Sequence, residues 1–250
     1  MEHIFSRTEL LIGCSGLEKL RQSTVIIFGI GGVGSFTVEA LARAAIGHLI
    51  LVDYDDISLT NINRQLHALH STVGETKVEV MKRRILEINP ATKVETIREF
   101  YSAANAERLL GRKLDYVVDA IDTVASKVNL VKECLIRKIP LISSMGAGNR
   151  LSAENYRVTD ISKTSGDPLA KAMRKLLRKE GIFQGVKVVS TPDLPCTPLS
   201  TEDDQTNCSP CGDIHCAKSR QIPGSISFVP PVVGLLIAGE VVRDLLKNSE

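Results

Sequence analysis

Short β-rich runs recur at residues 24–28, 48–53, 93–97, 116–120 and 139–143. Between them lie stretches such as "KVEVMKRRILEIN" and "SKVNLVKECLIRK", whose apolar positions return at helical spacing. Strand and helix in alternation predict a Rossmann-like α/β chain, a mostly parallel sheet with helices on both faces. In such sheets ligands bind outside the carboxyl ends of the strands. Gly29 to Gly34, Asp53, "VVDAID" ending at Asp122 and "SSMGAG" at 143–148 all fall at such ends, so the pattern predicts that they converge on one crevice. Beyond "NYRVTDI" the pattern changes to a basic helix, a strand at 186–190, and a Pro/Cys-rich loop over 192–223 that is expected to be flexible. The apolar stretch "FVPPVVGLLIAGEVV" is too short to span a bilayer and is interrupted by Pro230, Pro231 and Glu240, so a buried C-terminal helix is expected and no transmembrane segment.

Length and composition narrow this further. A chain of 250 residues with 43% hydrophobic content buries one substantial core, which predicts a single domain over 1–250. The formal charge is +2, so affinity for nucleic acid must come from a local patch. No basic segment followed by an apolar one opens the chain, and a cytoplasmic location is expected. In that compartment the six cysteines read as thiols or metal ligands sooner than as disulfides.

The chemistry gathers around "VIIFGIGGVGSFTVEALARAAIGHLILVDYDD". Gly29, Gly31, Gly32 and Gly34 let the backbone turn tightly and approach a phosphate, which the N–H groups and dipole of the next helix then hold. Asp53, at the tip of the second strand, is placed to accept from ribose hydroxyls. NAD, FAD, S-adenosylmethionine and ATP all use this geometry. Asn61, Arg64 and Lys77 favour ATP, because an amide holds ribose or phosphate oxygens and two cations neutralise a leaving pyrophosphate. Asp122 is a candidate Mg²⁺ ligand between phosphate oxygens. Singly, each has a plainer reading: Arg64 as a surface charge, Lys77 as a solvated helix residue, Asp122 as a cap for a helix starting near Val124. Their arrangement around one glycine turn points to nucleotidyl transfer.

In order, G-x-G-G-x-G, D-x-D, N-x-x-R-Q, the lysine of "VGETK" and "DAID" resemble the MoeB/ThiF/ubiquitin-activating superfamily, whose members adenylate a carboxylate with ATP and Mg²⁺. The resemblance implies a MoeB/ThiF-type ATP-binding fold. By motif it assigns Asp53 and Asp55 to the nucleotide, with Asp53 on ribose, Asn61 and Arg64 to the polyphosphate region, Lys77 to the phosphates and Asp122 to the metal. It also implies a homodimer, in which Arg7 of "FSRTELLIG" reaches into the partner's ATP site.

Two carboxylates compete as substrate: the Gly-Gly terminus of a ubiquitin-like sulfur carrier, and the threonyl carboxylate of N6-threonylcarbamoyladenosine in tRNA. Sulfur-carrier enzymes of the superfamily usually bind zinc through two separated C-x-x-C pairs. Here there is one pair, Cys208 and Cys211, with Cys196 and Cys216 nearby; four thiols could close a zinc site, but a flexible thiol-bearing loop is the favoured reading. From Lys163 to Lys187 there are seven Lys/Arg against two acids, and Lys171, Arg174, Lys175, Arg178 and Lys179 recur at helical spacing. A solvated helix face is the usual meaning of such a run, and a track for RNA phosphates fits as well. "SKTSGDPLAKAMRKLLRKEGI", "MGAGNRLSAENYRVTDI" and "RQIPGSISFVPPVVGLLIAGEVV" resemble the tRNA threonylcarbamoyladenosine dehydratases. That likeness implies adenylation of the threonyl carboxylate, then ring closure by the neighbouring carbamoyl group with loss of AMP. It requires no enzyme nucleophile, so a thioester on Cys208, Cys211 or Cys216 is disfavoured, and it leaves a sulfur-relay protein partner open.

Overall fold

A computed structural model of the chain describes residues 3–199 and 223–247. Seven strands form one sheet: β1 (Thr24–Phe28), β2 (His48–Val52), β3 (Lys93–Ile97), β4 (Tyr116–Asp119), β5 (Leu141–Ser144), β6 (Arg157–Asp160) and β7 (Lys187–Ser190). Their order is β3-β2-β1-β4-β5-β7-β6, parallel throughout except for β6, which runs antiparallel to β7 at the edge. The helices are α1 (Ser6–Gln22), α2 (Gly34–Arg43), α3 (Lys77–Ile88), α4 (Ala106–Leu110), α5 (Val124–Arg137), α6 (Pro168–Lys179) and α7 (Val229–Lys247).

The central strands are apolar on both faces because helices cover both, while the edge strands β3 and β6 are more polar and only partly buried. Val25 and Ile27 of β1, with Leu49, Leu51 and Val118, pack against α2, α3 and α7. The alternate residues Ile26, Phe28, Ile50, Val52 and Val117 pack against α4 and α5. A further cluster joins Val188 of β7 to α5 and to the apolar face of α6, through Val131, Ala170, Met173 and Leu177.

Strand positions follow the sequence pattern with shifted ends. The run expected at 139–143 begins pairing only at Leu141, since Pro140 has no N–H to give the ladder, although its carbonyl accepts from Val117 N at 2.8 Å. The runs expected to reach 53 and 120 end at Val52 and Asp119, where the chain turns into loops, and the last begins at Lys187. Among the α-helices and strands, α1, the short α4 and the four-residue edge strand β6 are not singled out in the sequence.

The C-terminal stretch forms the expected buried helix. Pro230 and Pro231 lie in the first turn of α7, where a missing N–H leaves nothing unpaired. Val229, Val233, Ile237, Val241 and Leu245 make its buried stripe. A side chain at Gly234 would strike the Val33 carbonyl, so this glycine lets α7 lie directly on α2, and its own carbonyl accepts from Thr37 Oγ1 at 3.1 Å. Among the described residues no helix is long and apolar enough to cross a membrane.

Candidate active site

The order of the sheet reverses between β1 and β4, and the crevice expected at such a switch point opens there, with a volume of about 540 Å³. Gly29, Gly31, Gly32, Asp53, Asp55, Asn61, Arg64, Lys77 and Asp122 all line it. The volume falls within the range that suits a ligand of nucleotide size.

Two glycines have definite steric reasons. Gly29 has φ +87°, and a Cβ there would sit 2.6 Å from the Ala120 carbonyl oxygen. At Gly31 the nearest atom to such a Cβ is Gln65 Nε2, 3.9 Å away, which leaves the backbone open to close approach by a ligand. Gly34 plays a different part from the other three. It does not line the crevice but opens α2 packed against the Gly29 carbonyl, and no side chain caps that helix's first turn.

Asp53 ties two loops together. Its Oδ2 accepts from Ile30 N at 2.6 Å and its Oδ1 from Asp55 N at 2.9 Å. Burial raises its carboxyl above the usual aspartate range, against the pull of the Lys77 charge. Each oxygen keeps a further lone pair for a hydroxyl donor. Lys77 is not the solvated helix residue of the plainer reading: it is 5% exposed, opens α3, and places Nζ 2.5 Å from Asp55 Oδ2. Arg64 is half-buried and donates from Nη1 to the Thr60 carbonyl (2.9 Å) and Asn63 Oδ1 (2.8 Å). Asn61 accepts from Ser58 N at 3.1 Å. Asp122 does not cap α5, whose N-cap is Thr123; it is an exposed carboxylate accepting from the Thr123 hydroxyl at 3.2 Å. A hard divalent cation favours an exposed carboxylate of this kind.

Beneath Asp122 lies a pair that the sequence reading passed over. Lys127 and Asp119 are both fully buried, with Nζ 3.0 Å from Asp119 Oδ2 and 3.0 Å from the Ile121 carbonyl. Asp119 also accepts from Ser143 Oγ (2.5 Å) and Ile121 N (3.1 Å), so this cluster shapes the turn that carries Asp122. The available signal was a lysine on the apolar stripe of a helix, three residues after Val124 and three before Leu130. Two more buried groups have no role in the sequence reading, His67 and the glutamine that closes N-x-x-R-Q. His67 has neither ring nitrogen partnered, and burial, with a smaller push from Lys77, brings its pKa down to about 4. Gln65, beside the glycine turn, has an unpartnered buried Oε1.

A further part of the crevice wall comes from Ala147 and Gly148, the end of "SSMGAG", together with Pro223, Gly224 and Ser225. Asn149 joins the two segments: its N–H donates to the Gly224 carbonyl at 2.7 Å, and its Oδ1 accepts from Gly224 N. Tyr54 and Phe100 form an edge-to-face pair, centroids 5.3 Å apart, on the lining.

The remaining candidates lie elsewhere. Arg7 is exposed on α1 and does not line its own chain's crevice. Lys171, Lys175, Arg178 and Lys179 project from α6 into solvent. Arg174 is half-buried instead, and donates to the Thr164 carbonyl at 2.9 Å and to its hydroxyl. Cys196 is exposed with a free thiol, while Cys208, Cys211 and Cys216 lie outside the described residues. Among the described residues no group of three His, Cys, Asp or Glu side chains is arranged to hold a metal.

The model of the ThiF family matches residues 5–250. A tRNA threonylcarbamoyladenosine dehydratase of Bacillus subtilis is 49% identical over 250 residues, covering 100% of this chain and 97% of that one. Crystal structures of the Escherichia coli tRNA N6-threonylcarbamoyladenosine dehydratase superpose with TM-scores of 0.86 for its complex with AMP and 0.85 for its complex with ATP. Both are 32% identical in sequence and cover 98% of this chain and 94% of theirs.

Proposed function

The chain belongs to the ThiF family, and on that premise we infer that it is an ATP-dependent enzyme that dehydrates N6-threonylcarbamoyladenosine in tRNA. The observation that carries this reading is the full-length 49% identity to a dehydratase, in a chain whose glycine turn, buried lysine and exposed aspartate meet in one crevice.

In this reading ATP lies with its ribose at Asp53 and its phosphates along the Gly29–Gly32 turn, within reach of Asn61, Arg64 and Lys77. The threonyl carboxylate attacks the α-phosphorus, the bond to pyrophosphate breaks, and an acyl-adenylate forms. Arg64 and Lys77 take up the charge that grows on the leaving pyrophosphate. The neighbouring carbamoyl group, held by the covalent frame, then attacks the acyl carbon and AMP leaves as the ring closes. Over the cycle ATP becomes AMP and pyrophosphate, and the nucleoside loses one water. Asp122 is suited to hold Mg²⁺, which when bound neutralises phosphate charge.

Transfer RNA lies along the outward face of α6, on Lys171, Lys175, Arg178 and Lys179. Arg174 is left to Thr164. A second copy of the chain completes the site with the partner's Arg7. Support comes from the exposure of Arg7 on α1, beside the exposed apolar side chains of Ile4, Leu10 and Leu11.

The test is release of AMP from ATP labelled at the α-phosphate. Release that depends on tRNA bearing the threonylcarbamoyl group is expected. Release driven instead by a small protein ending in Gly-Gly, and indifferent to tRNA, would transfer the chain to the sulfur-carrier reading.

A further inference from the structure

We propose that Asp167 is a positioning residue: one buried carboxylate that fixes the distance between the helix facing tRNA and the wall of the ATP crevice. The proposal rests on the reading of α6 as the tRNA face.

Asp167 is the N-cap of α6, and its side chain is fully buried. Its Oδ1 accepts from Leu169 N (2.8 Å) and Ala170 N (3.2 Å), which completes the cap. Its Oδ2 turns the other way and accepts from Gly146 N at 2.9 Å and from Ser190 Oγ at 3.3 Å. The Gly146 peptide is therefore held from both ends, because its carbonyl accepts from Tyr156 OH at 2.6 Å and from Arg150 Nε at 3.1 Å. Arg150 is itself buried, and its Nη2 lies 3.9 Å from Asp167 Oδ2. The next two residues, Ala147 and Gly148, line the crevice.

Capping alone does not call for this side chain. Serine or asparagine caps a helix about as well as aspartate, and burying a carboxylate beside a guanidinium carries a large desolvation cost. What aspartate adds is the second oxygen, which binds the crevice wall. The fit is close, since a Cβ on Gly146 would lie 3.0 Å from Asp167 Oδ1. Adenylation needs the threonyl carboxylate, carried by tRNA on α6, to meet an α-phosphate held by the crevice. A misplacement of about 1 Å between reacting groups can cost roughly 100-fold in rate.

The informative variant is Asp167→Ser in the full chain, which retains a capping oxygen and cannot reach Gly146. Gly146→Ala strains the same junction without removing a charge, and serves if the serine variant does not fold. ATP affinity by calorimetry, tRNA affinity by filter binding and the single-turnover dehydration rate at saturation are measured for each. Expected are both affinities within about twofold of the parent chain and a rate lower by roughly 10–100-fold. A parental rate overturns the proposal, and so does a rate loss matched by an equal loss of ATP affinity, which marks a carboxylate that only shapes the crevice. The variant Lys171→Gln, Lys175→Gln, Arg178→Gln tests the reading beneath: parental tRNA binding there removes the premise, whereas weakened tRNA binding with a parental rate in Asp167→Ser removes only the proposal.

Discussion

Lys77 Nζ lies 2.5 Å from Asp55 Oδ2, a buried ammonium at the start of a helix facing a half-exposed carboxylate across the crevice lining. A cation at a helix N-terminus opposes the helix dipole, so its place makes sense for an anionic ligand. Lys77→Met should weaken ATP binding by roughly 10–100-fold, the worth of a charge-assisted hydrogen bond of about 1.5–3 kcal/mol. Asp55→Asn should act in the opposite direction on metal-free ATP, since it releases Lys77. Calorimetry at constant ionic strength checks both signs.

Arg7 and Asp122 belong to different surfaces of one chain, the first on α1 and the second on the crevice. Arg7→Ala and Asp122→Ala chains should each lose most adenylation, because a transition-state cation or a metal ligand contributes several kcal/mol. Mixed under subunit exchange, the two should regain activity, since one site of the heterodimer is then intact. Full exchange with no recovery would remove the homodimer from the mechanism.

The buried pair of Asp119 and Lys127 should reveal itself in stability. Lys127→Met leaves a buried carboxylate uncompensated and should cost about 3–5 kcal/mol in urea denaturation. Adding Asp119→Asn should recover most of that, because an interacting pair is not additive. Equal losses that simply add would show that the two side chains act independently.

How much of this could be read in the sequence depends on burial. The strands β1, β2, β4, β5 and β7 stand out because the covered middle of a sheet needs apolar runs, whereas β3, at one edge, reads as an alternating "KVETI". At the other edge, β6 (Arg157–Asp160) is as long as β4, β5 or β7 but too polar to register. The helix α1 is broken by Gly13 at φ +70° and buries few residues, so its periodicity is weak. Gly29, Asp53 and Asp122 are legible because they follow the carboxyl ends of strands, and Arg64 and Lys77 because they complete a motif. Lys127 shows only as a lysine on an apolar helix stripe, and His67 and Asp167 are invisible as chemistry in one dimension, since their roles come from being enclosed by the fold.

His67 gives the fold a pH dependence of definite sign. An unfolded histidine takes up its proton near pH 6.5, whereas the buried one resists until about pH 4. The unfolded state therefore binds more protons between those values. The contribution is complete above 6.5 and is lost as pH falls towards 4, with about 2 kcal/mol gone by pH 5. Urea midpoints at pH 7.5 and pH 5 should differ less in His67→Leu than in the parent chain. An unchanged difference would show that His67 is already protonated in the folded chain.

The most direct test of the central claim is mass spectrometry of tRNA nucleosides after incubation with the chain, ATP and Mg²⁺. Expected is conversion of the threonylcarbamoyl nucleoside to a product lighter by one water, with one AMP formed per product and no conversion by Asp122→Ala. An unchanged nucleoside, in a preparation that binds ATP and the same tRNA, would contradict the assigned reaction.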